Sequence, residues 1–147
     1  MKKLLIGLLA IGSLTAFGNP DDLCSKLVGS YTCERFEKDL RSNTEDNSIE
    51  KIIVSIHNKN IFRLNSSQGY NFDYGLGFEI LNSFMITDGK ADCFKSEIDF
   101  SIKLVRARTR EVTSSWKGTI QETDTGFVST EHKLVRGGVI ERVCIRN

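Results

Sequence analysis

The sequence predicts an all-β protein, an antiparallel meander of about eight to ten short strands. Apolar and polar residues alternate with a period of two through most of the chain. No long segment has the 3.6-residue apolar stripe of an amphipathic helix. Turn-forming residues separate the alternating segments at nearly regular intervals, as expected for strands that are joined by tight turns.

The chain is expected to begin with a signal peptide, residues 1–18. Lys2-Lys3 precedes an apolar run from Leu4 to Ala16, and Ala16-Phe17-Gly18 has the small residues that a signal peptidase recognises. We therefore predict a bacterial protein of the periplasm or the extracellular medium, with residues 19–147 as a single β-barrel domain. No other apolar run approaches the ~18 residues of a membrane span, so we predict no span.

The first elements are predicted from a short alternating segment and its flanks. Leu27 to Cys33 alternates and predicts the first strand. Asp21 to Lys26 is compatible with one helical turn that plugs an end of the fold. Glu37 to Ile49 is polar and rich in Asp, Asn, Ser and Glu, so it is predicted to be the one long loop.

Three later segments have the most regular alternation. Each predicts a strand with one buried face and one hydrated face. They run from Tyr70 to Ile80, from Ile98 to Leu104 and from Val112 to Ile120. Shorter strands are predicted around Ile52, Phe62, Phe84, Val128 and Val139. Gly75 and Gly77 indicate a bulge or a sharp bend within the first of the three segments.

Two architectures bury one face of every strand, a closed barrel and a β-sandwich. A sandwich needs long crossover connections, and the chain offers only the predicted loop 37–49. Closure needs only turns between neighbouring strands, and it removes exposed sheet edges. We therefore predict a small closed barrel, with the sandwich as the alternative.

The four cysteines, Cys24, Cys33, Cys93 and Cys144, predict disulfides because an even number in an exported chain is usually paired. Their gaps of 9, 60 and 51 residues lack the close pairs that zinc sites use. Four cysteines allow three connectivities, which sequence alone does not separate. We favour Cys24–Cys33 with Cys93–Cys144.

The stretch Leu27-Val28-Gly29-Ser30-Tyr31-Thr32-Cys33 follows a short polar lead-in. Its glycine–x–aromatic element resembles the start of calycin barrels, the lipocalin and fatty-acid-binding group, although Tyr31 stands where lipocalins have tryptophan. With Cys24 and with Ile86-Thr87-Asp88-Gly89, taken as an Asp-Gly hairpin, the stretch also resembles small exported bacterial proteins. The resemblance implies a calycin-like barrel with a cavity for a small apolar molecule.

An aromatic face is the most unusual feature of the sequence. Tyr70, Phe72, Tyr74 and Phe78 fall on one side of a predicted strand, and Trp116 is the sole tryptophan. These side chains are candidate ligand-binding residues that would form the wall of a cavity. The alternative is a barrel filled by its own side chains, because burial of each aromatic contributes roughly 1.5–3 kcal/mol without any ligand.

The charge is small in total but unevenly distributed. The formal net charge of +1 becomes −1 without Lys2-Lys3, which argues against a nucleic-acid partner held by bulk charge. Residues 19–100 sum to −5, whereas residues 101–147 sum to +4. A charged ligand would therefore meet a polar molecule with an acidic and a basic part.

Three alternating arginines, Arg106, Arg108 and Arg110, are the second group of candidate ligand-binding residues. They follow the apolar face of a predicted strand, so they emerge at a barrel rim. There, guanidinium groups suit bidentate pairing with a carboxylate or phosphate headgroup. The alternative is a solvated edge whose charge opposes aggregation.

No catalytic or metal-binding motif is present. His57 and His132 are the only histidines, and no other ligands cluster beside them in the sequence. His132 shares the parity of Val128 and is expected to be half-buried. Because G-x-S-x-G, H-E-x-x-H and phosphate-loop motifs are missing, we predict no enzyme, no cofactor and no metal.

Two functions are consistent with these observations. The first is an exported, non-enzymatic, monomeric binding protein that holds a small apolar or amphiphilic ligand in its barrel. The second is a solid-core protein–protein module, such as an envelope-associated factor or an inhibitor, that contacts its partner through the loop 37–49. An interior void of a few hundred Å³ would favour the first function, and a filled core would favour the second.

Overall fold

A computed structural model describes residues 22–83, 85–135 and 137–147. The predicted signal peptide, residues 1–18, lies outside this part, as does Phe84. The described residues form one helix and ten strands: α1 (Leu23–Lys26), β1 (Gly29–Asp39), β2 (Thr44–His57), β3 (Ile61–Ser66), β4 (Asn71–Leu76), β5 (Ile80–Ser83), β6 (Ile86–Asp92), β7 (Ile98–Val105), β8 (Val112–Thr123), β9 (Gly126–Lys133) and β10 (Val139–Arg146).

The strands form one sheet that closes on itself. Hydrogen-bonded neighbours follow in the order β4-β3-β2-β1-β10-β9-β8-β7-β6-β5, and all of these pairs are antiparallel. A short parallel pairing between β4 and β6 closes the circle, with Leu76 opposite Ala91. β5 pairs only with β6 and stays outside the circle. The predicted closed barrel is therefore confirmed, with nine strands in the circle.

Alternation decides which side chains enter the barrel. In β1, Tyr31 and Cys33 are buried, whereas Ser30 and Glu34 are exposed. The apolar core lies at the end of the barrel that carries α1. Its members include Leu27, Tyr31, Val54, Phe62, Ile98, Ile102, Ile120 and Phe127. At roughly 1.5–3 kcal/mol for each large apolar side chain, this burial is the main favourable term for the fold.

The single helical turn predicted before the first strand is confirmed as α1. The Asp22 carboxylate caps it by accepting a hydrogen bond from the backbone N–H of Cys24 at 3.1 Å. Leu23 and Leu27 are buried in the core, and the Tyr31 hydroxyl donates to the Leu27 carbonyl at 2.8 Å. α1 thus plugs this end. The described residues contain no helix with the length and apolarity that a membrane crossing requires.

The segment Tyr70 to Ile80, predicted as one strand, breaks into β4 and β5. Gly77, between them, has a φ of +74°, which residues with a side chain rarely adopt. The predicted bend is therefore confirmed, but the alternation does not continue through it. Phe78 lies beyond the bend and is 47% exposed, so its predicted place on the inner wall is wrong.

The Asp88-Gly89 pair was predicted to form a hairpin turn, and this is wrong because both residues lie inside β6. A Cβ atom on Gly89 would be 2.1 Å from the carbonyl oxygen of Asp73 in β4. Glycine is therefore needed at this position because the two strands that close the barrel approach each other here, and not because the chain turns.

The long loop predicted for Glu37 to Ile49 is also wrong. β1 continues to Asp39 and β2 begins at Thr44, so the stretch is a paired hairpin with a short turn. Lys38 Nζ lies 2.9 Å from Glu45 Oε1 across the pair. The Asp39 carboxylate accepts two backbone N–H bonds within the turn, which also lower its pKa. Opposite charges on facing strands therefore replace the apolar pattern that marks strands elsewhere.

All four cysteines form disulfides, as predicted, but the favoured connectivity is wrong. The pairs are Cys24–Cys93 and Cys33–Cys144, with Cα atoms 5.4 Å and 4.0 Å apart. Cys33 and Cys144 face each other directly in the register of β1 and β10. Cys24 lies in α1, whose Leu23 N–H donates to the Cys93 carbonyl at 3.2 Å. Contacts between elements distant in sequence, rather than short loops, determine the pairing.

Peptide mapping checks this connectivity. We expect non-reducing digestion and mass spectrometry to yield linked peptides that join Cys24 to Cys93 and Cys33 to Cys144. Replacement of either pair by alanine should lower the free energy of unfolding by roughly 2–5 kcal/mol, because each bridge closes a long loop. A linked Cys24–Cys33 peptide from freshly folded protein would contradict the structure.

A second expectation concerns the closure of the barrel. Gly89→Ala should lower the free energy of unfolding by about 1–3 kcal/mol, because the new methyl group overlaps the Asp73 carbonyl. The matched control is Gly29→Ala, where the added Cβ would lie 3.4 Å from a flexible Arg146 side-chain atom. Urea denaturation measures both variants. Equal stability of the two would mean that β4 and β6 do not approach as described.

Candidate functional site

The interior changes from apolar to charged along the barrel axis. In β1, Arg35 and Glu37 continue the inward face of Tyr31 and Cys33, moving away from α1. Arg142 faces Arg35 across the β1–β10 pair. Neighbouring strands add further charges to this end of the barrel. The inward charged residues are Arg35, Glu37, Glu50, Glu131, Lys133 and Arg142.

Arg142 is the centre of one ion-pair cluster. Its Nε donates to Glu50 Oε2 at 2.7 Å, and its Nη1 donates to Glu131. Ser66 donates to the second oxygen of Glu50. The side chain of Glu50 is 1% exposed and that of Arg142 is 7% exposed. An unpaired charge at this depth would cost several kcal/mol, so each member depends on the others.

Glu37 joins a second cluster nearer the barrel mouth. It accepts hydrogen bonds from Arg35 Nη2 and from Lys133 Nζ. Arg35 is buried, and its Nε is a buried donor without a hydrogen-bond partner among the described residues. A buried guanidinium N–H that lacks an acceptor costs roughly 1–3 kcal/mol, so this atom favours the arrival of an acceptor.

The pKa values of Glu131 and Glu37 are shifted in opposite directions. Burial raises the pKa of Glu131, and the nearby charge and hydrogen bond of Arg142 offset only part of this effect. Burial also acts to raise the pKa of Glu37, but the hydrogen bonds and charges of Lys133 and Arg35 together lower it below its usual value. Glu131 therefore takes up a proton more readily than Glu37 does.

A cavity of about 70 Å³ lies between the charged groups and the barrel mouth. The residues around it are Arg35, Tyr70, Phe72, Trp116, Glu131, Lys133, Ile140 and Arg142. This volume holds a few water molecules or one compact group such as a carboxylate. It is far below the few hundred Å³ expected for a ligand enclosed whole, so most of the interior is filled by protein.

Three of the predicted aromatic residues meet at this cavity. Tyr70 is 51% exposed, and its ring is parallel to that of Phe72 with centroids 6.0 Å apart. The Phe72 and Trp116 rings are 6.1 Å apart. Tyr74 lies deeper, where it packs against Phe100 and where burial raises its pKa well above the usual value. Tyr70, Phe72 and Trp116 thus form an aromatic rim between the barrel mouth and the filled core.

The three arginines predicted at a rim lie in the connection between β7 and β8. Arg106, Arg108 and Arg110 are all exposed, and Arg106 Nη1 is 3.4 Å from Glu111 Oε2. This connection is at the same end as the cavity, because Trp116 lies just beyond it in β8. None of the three lines the cavity, so they are not brought together with the buried charges.

The buried charged residues were not predicted from the sequence, because inward faces were identified by their apolar and aromatic residues. The parity of the strands carries a signal that could have found them. Glu131 and Lys133 continue the inward face of Phe127 and Ser129, and Arg142 lies between two inward residues of β10. His132 has the opposite parity and is exposed, so its predicted half-burial is wrong.

One group of potential metal ligands occurs in the described residues, formed by Asp22, Cys24 and Cys93. The two sulfur atoms are bonded to each other, so they are not available as thiolates. This group therefore belongs to the plugged end of the barrel as a disulfide and a helix cap.

A larger groove, of about 570 Å³, lies on the outside of the barrel. It runs over β1, β2 and β10 rather than into the interior. Its outward side chains are Glu34, Phe36, Asn47, Ile49, Glu141 and Val143. Arg35 and Ser48 line it as well, so Arg35 borders both this groove and the interior cavity.

Comparison with known proteins bears on the fold. No protein-family model matches the sequence, and no curated protein matches it. A crystal structure of a mutant of the fluorescent protein UnaG is similar, with a TM-score of 0.53 and 9% identity over 84% of this chain and 97% of that chain. Likeness at this identity shows the fold, and the fold is a calycin-like barrel, as the first strand implied.

The proton affinity of Glu131 has a measurable consequence. Because folding raises its pKa above the ordinary 4.5, the folded protein binds this proton more tightly than the unfolded chain does. Relative to Glu131→Gln, the wild type should therefore gain stability as the pH falls through the raised pKa, and the gain should level off below about 4.5.

Urea denaturation of both proteins over a pH series measures this difference. The matched control is Glu79→Gln, which changes an exposed carboxyl group outside the clusters. Its free energy of unfolding should change with pH in the same way as that of the wild type. A wild type that loses stability relative to Glu131→Gln as the pH falls would contradict the assignment.

Proposed function

We propose that this protein binds a small amphiphilic ligand at the open end of its barrel. The ligand places a compact anionic group in the cavity and lays its apolar part on the aromatic rim. The observation that carries the proposal concerns Arg35, which lines this cavity and whose buried Nε has no acceptor among the described residues. The calycin-like fold is consistent with a binding protein.

The charge of the bound group follows from the neighbours of the cavity. Three cations, Arg35, Lys133 and Arg142, balance the formal charge of three acids, Glu37, Glu50 and Glu131. An incoming anion accepts a hydrogen bond from the Nε–H of Arg35. The negative charge that the anion adds is offset when Glu131 takes up a proton. Anion binding is therefore coupled to proton uptake and strengthens at mildly acidic pH.

The apolar part of the ligand remains partly outside the barrel. The cavity of about 70 Å³ is too small for a chain, but Tyr70 offers an exposed ring that stacks on Phe72. Aromatic rings at a pocket mouth bind apolar or planar groups through their faces. Tyr74, Phe78 and the arginines at 106, 108 and 110 are outside this proposed contact set.

The setting that we propose is export without catalysis. Two disulfides fit an oxidising compartment, in agreement with the signal peptide expected at residues 1–18 and with a bacterial periplasmic or secreted protein. The buried acids are engaged by arginine and lysine, which suits binding rather than proton transfer. We therefore propose a non-enzymatic, monomeric protein.

One observation favours a second candidate function. The interior is largely filled, as in a solid-core module that acts through its surface. The hairpin over residues 37–49 then remains a candidate contact with a protein partner, such as an envelope component or an enzyme that it inhibits. Its exposed, charged strands extend beyond the core.

The primary proposal is tested by titration calorimetry with decanesulfonate, an anion that stays charged over the working pH range. We expect saturable binding at one site, weaker binding of decanol, and binding that tightens as the pH falls through the raised pKa of Glu131. Arg35→Lys keeps the positive charge but removes Nε, and it should weaken binding by roughly 10–100-fold, the value of a hydrogen bond between charged groups.

The matched control is Arg106→Lys, the same substitution at the exposed rim. It should change the affinity less than twofold, because an exposed, screened charge contributes little. Equal binding of decanesulfonate and decylammonium, or unchanged binding by a folded Arg35→Lys protein, would contradict the proposal. No binding of decanesulfonate at millimolar concentration would contradict it as well.

A further inference from the structure

The outer wall of the barrel is apolar on one side only. Outward positions of β2 and β10 carry aliphatic side chains that are more than half exposed, namely Ile49, Ile53, Val143 and Ile145. On β7 and β8, the outward positions carry polar side chains, namely Asp99, Ser101, Lys103, Lys117, Thr119 and Gln121. Polar residues of β1 lie between these aliphatic side chains, and a cluster of exposed apolar residues rimmed by polar ones marks an interaction site more often than a free surface.

The groove of about 570 Å³ lies in this apolar wall. Its floor is Phe36, Ile49 and Val143. In the register of the sheet, Glu34 lies between Ile49 on β2 and Val143 on β10. Glu141 faces Phe36, which places it diagonally across from Glu34 on the adjacent strand. Such diagonal neighbours lie roughly 7–8 Å apart or less, so two carboxylates share the centre of an apolar groove.

Neither carboxylate is paired within the part of the chain that the structure describes. Glu34 and Glu141 accept no hydrogen bond from a side chain and form no ion pair there. The same wall carries a paired acid at its edge, where Glu45 lies 2.9 Å from Lys38. Lys51 on β2 is a diagonal neighbour of Glu34 but forms no ion pair with it. Two like charges on neighbouring strands repel each other, and a cation between them would remove that cost.

We infer that the groove is a docking site for a partner protein that inserts one basic side chain, flanked by apolar ones, between Glu34 and Glu141. Arginine fits best, because its planar guanidinium can donate to both carboxylates while its stem packs on apolar surface. The flanking aliphatic residues of the partner would cover Ile49 and Val143. Arg35 borders both this groove and the cavity of the proposed function, whereas Glu34 and Glu141 line only the groove.

The central carboxylates also decide against other occupants. A second copy of this chain would bring its own Glu34 and Glu141 to the same contact, so like charges would meet at the centre. An anionic lipid surface would be repelled in the same way. A partner with a basic centre and an apolar surround is complementary in both respects.

The test uses two pentapeptides with blocked ends and the ¹⁵N-labelled full protein. One peptide has arginine at the centre of two leucines and two valines, and the other has the uncharged isostere citrulline in its place. We expect the arginine peptide to shift the backbone amide signals of Glu34, Ile49 and Val143 in NMR spectra. The citrulline peptide should bind at least tenfold more weakly.

Variants assign the effect to the two carboxylates. The double variant Glu34→Gln/Glu141→Gln should bind the arginine peptide at least tenfold more weakly. The control Glu122→Gln, which changes an exposed acid outside the groove, should bind the peptide as tightly as the wild type does. All three positions are exposed, so the variants keep the fold and its amide spectrum. Decanesulfonate binding at the cavity should be unaffected, which separates this proposal from the previous one.

Three results with the peptides would overturn the inference. They are equal binding of the two peptides, shifts confined to residues outside the groove, and no shifts at millimolar arginine peptide. Unchanged affinity in the double glutamine variant would also overturn it, since the apolar wall would then bind without the carboxylates.

Discussion

The ion pairs of Arg142 with Glu50 and Glu131 constrain what the rest of the barrel can hold. Glu50 is 1% exposed, so its charge is tolerable only while Arg142 and Ser66 bond to it. Arg142 in turn needs both acids to offset its own burial. These side chains occupy the volume where an open barrel would carry a ligand, and they leave a cavity of about 70 Å³. Recognition is therefore limited to a compact group that fits among fixed charges.

The two disulfides hold that arrangement in place. Cys33 and Cys144 are two residues from Arg35 and Arg142 along their strands, so this bridge fixes the spacing of β1 and β10 where the charges begin. The Cys24–Cys93 bridge links the helical plug α1 to the residue that directly follows β6. One end of the barrel is thus closed by covalent and apolar contacts. The other end is open, and the charged side chains beneath its mouth are the groups that respond to pH.

Local periodicity predicted most of the fold and little of the site. The alternation in Ile98 to Leu104 and the glycine at position 77 are local signals, and both predictions were confirmed. The hairpin at Glu37 to Ile49 was missed because charge pairs, not apolar residues, stabilise it. The cysteine pairing depends on which strands become neighbours, and loop length does not reveal that. The aromatic residues predicted the position of the barrel mouth. Arg35 and Arg142 could not be predicted as site residues, because they become buried and paired only when the barrel closes around them.

The most direct test of these ideas is NMR of the arginine Nε–H groups in the folded protein. A buried, unpaired Nε–H on Arg35 should exchange slowly with water, and its signal should move more than any other when decanesulfonate is added. The signal of exposed Arg106 should exchange fast and stay in place. An Arg35 signal that exchanges as fast as that of Arg106 and does not move at saturating decanesulfonate would contradict a buried receptor for an anionic group.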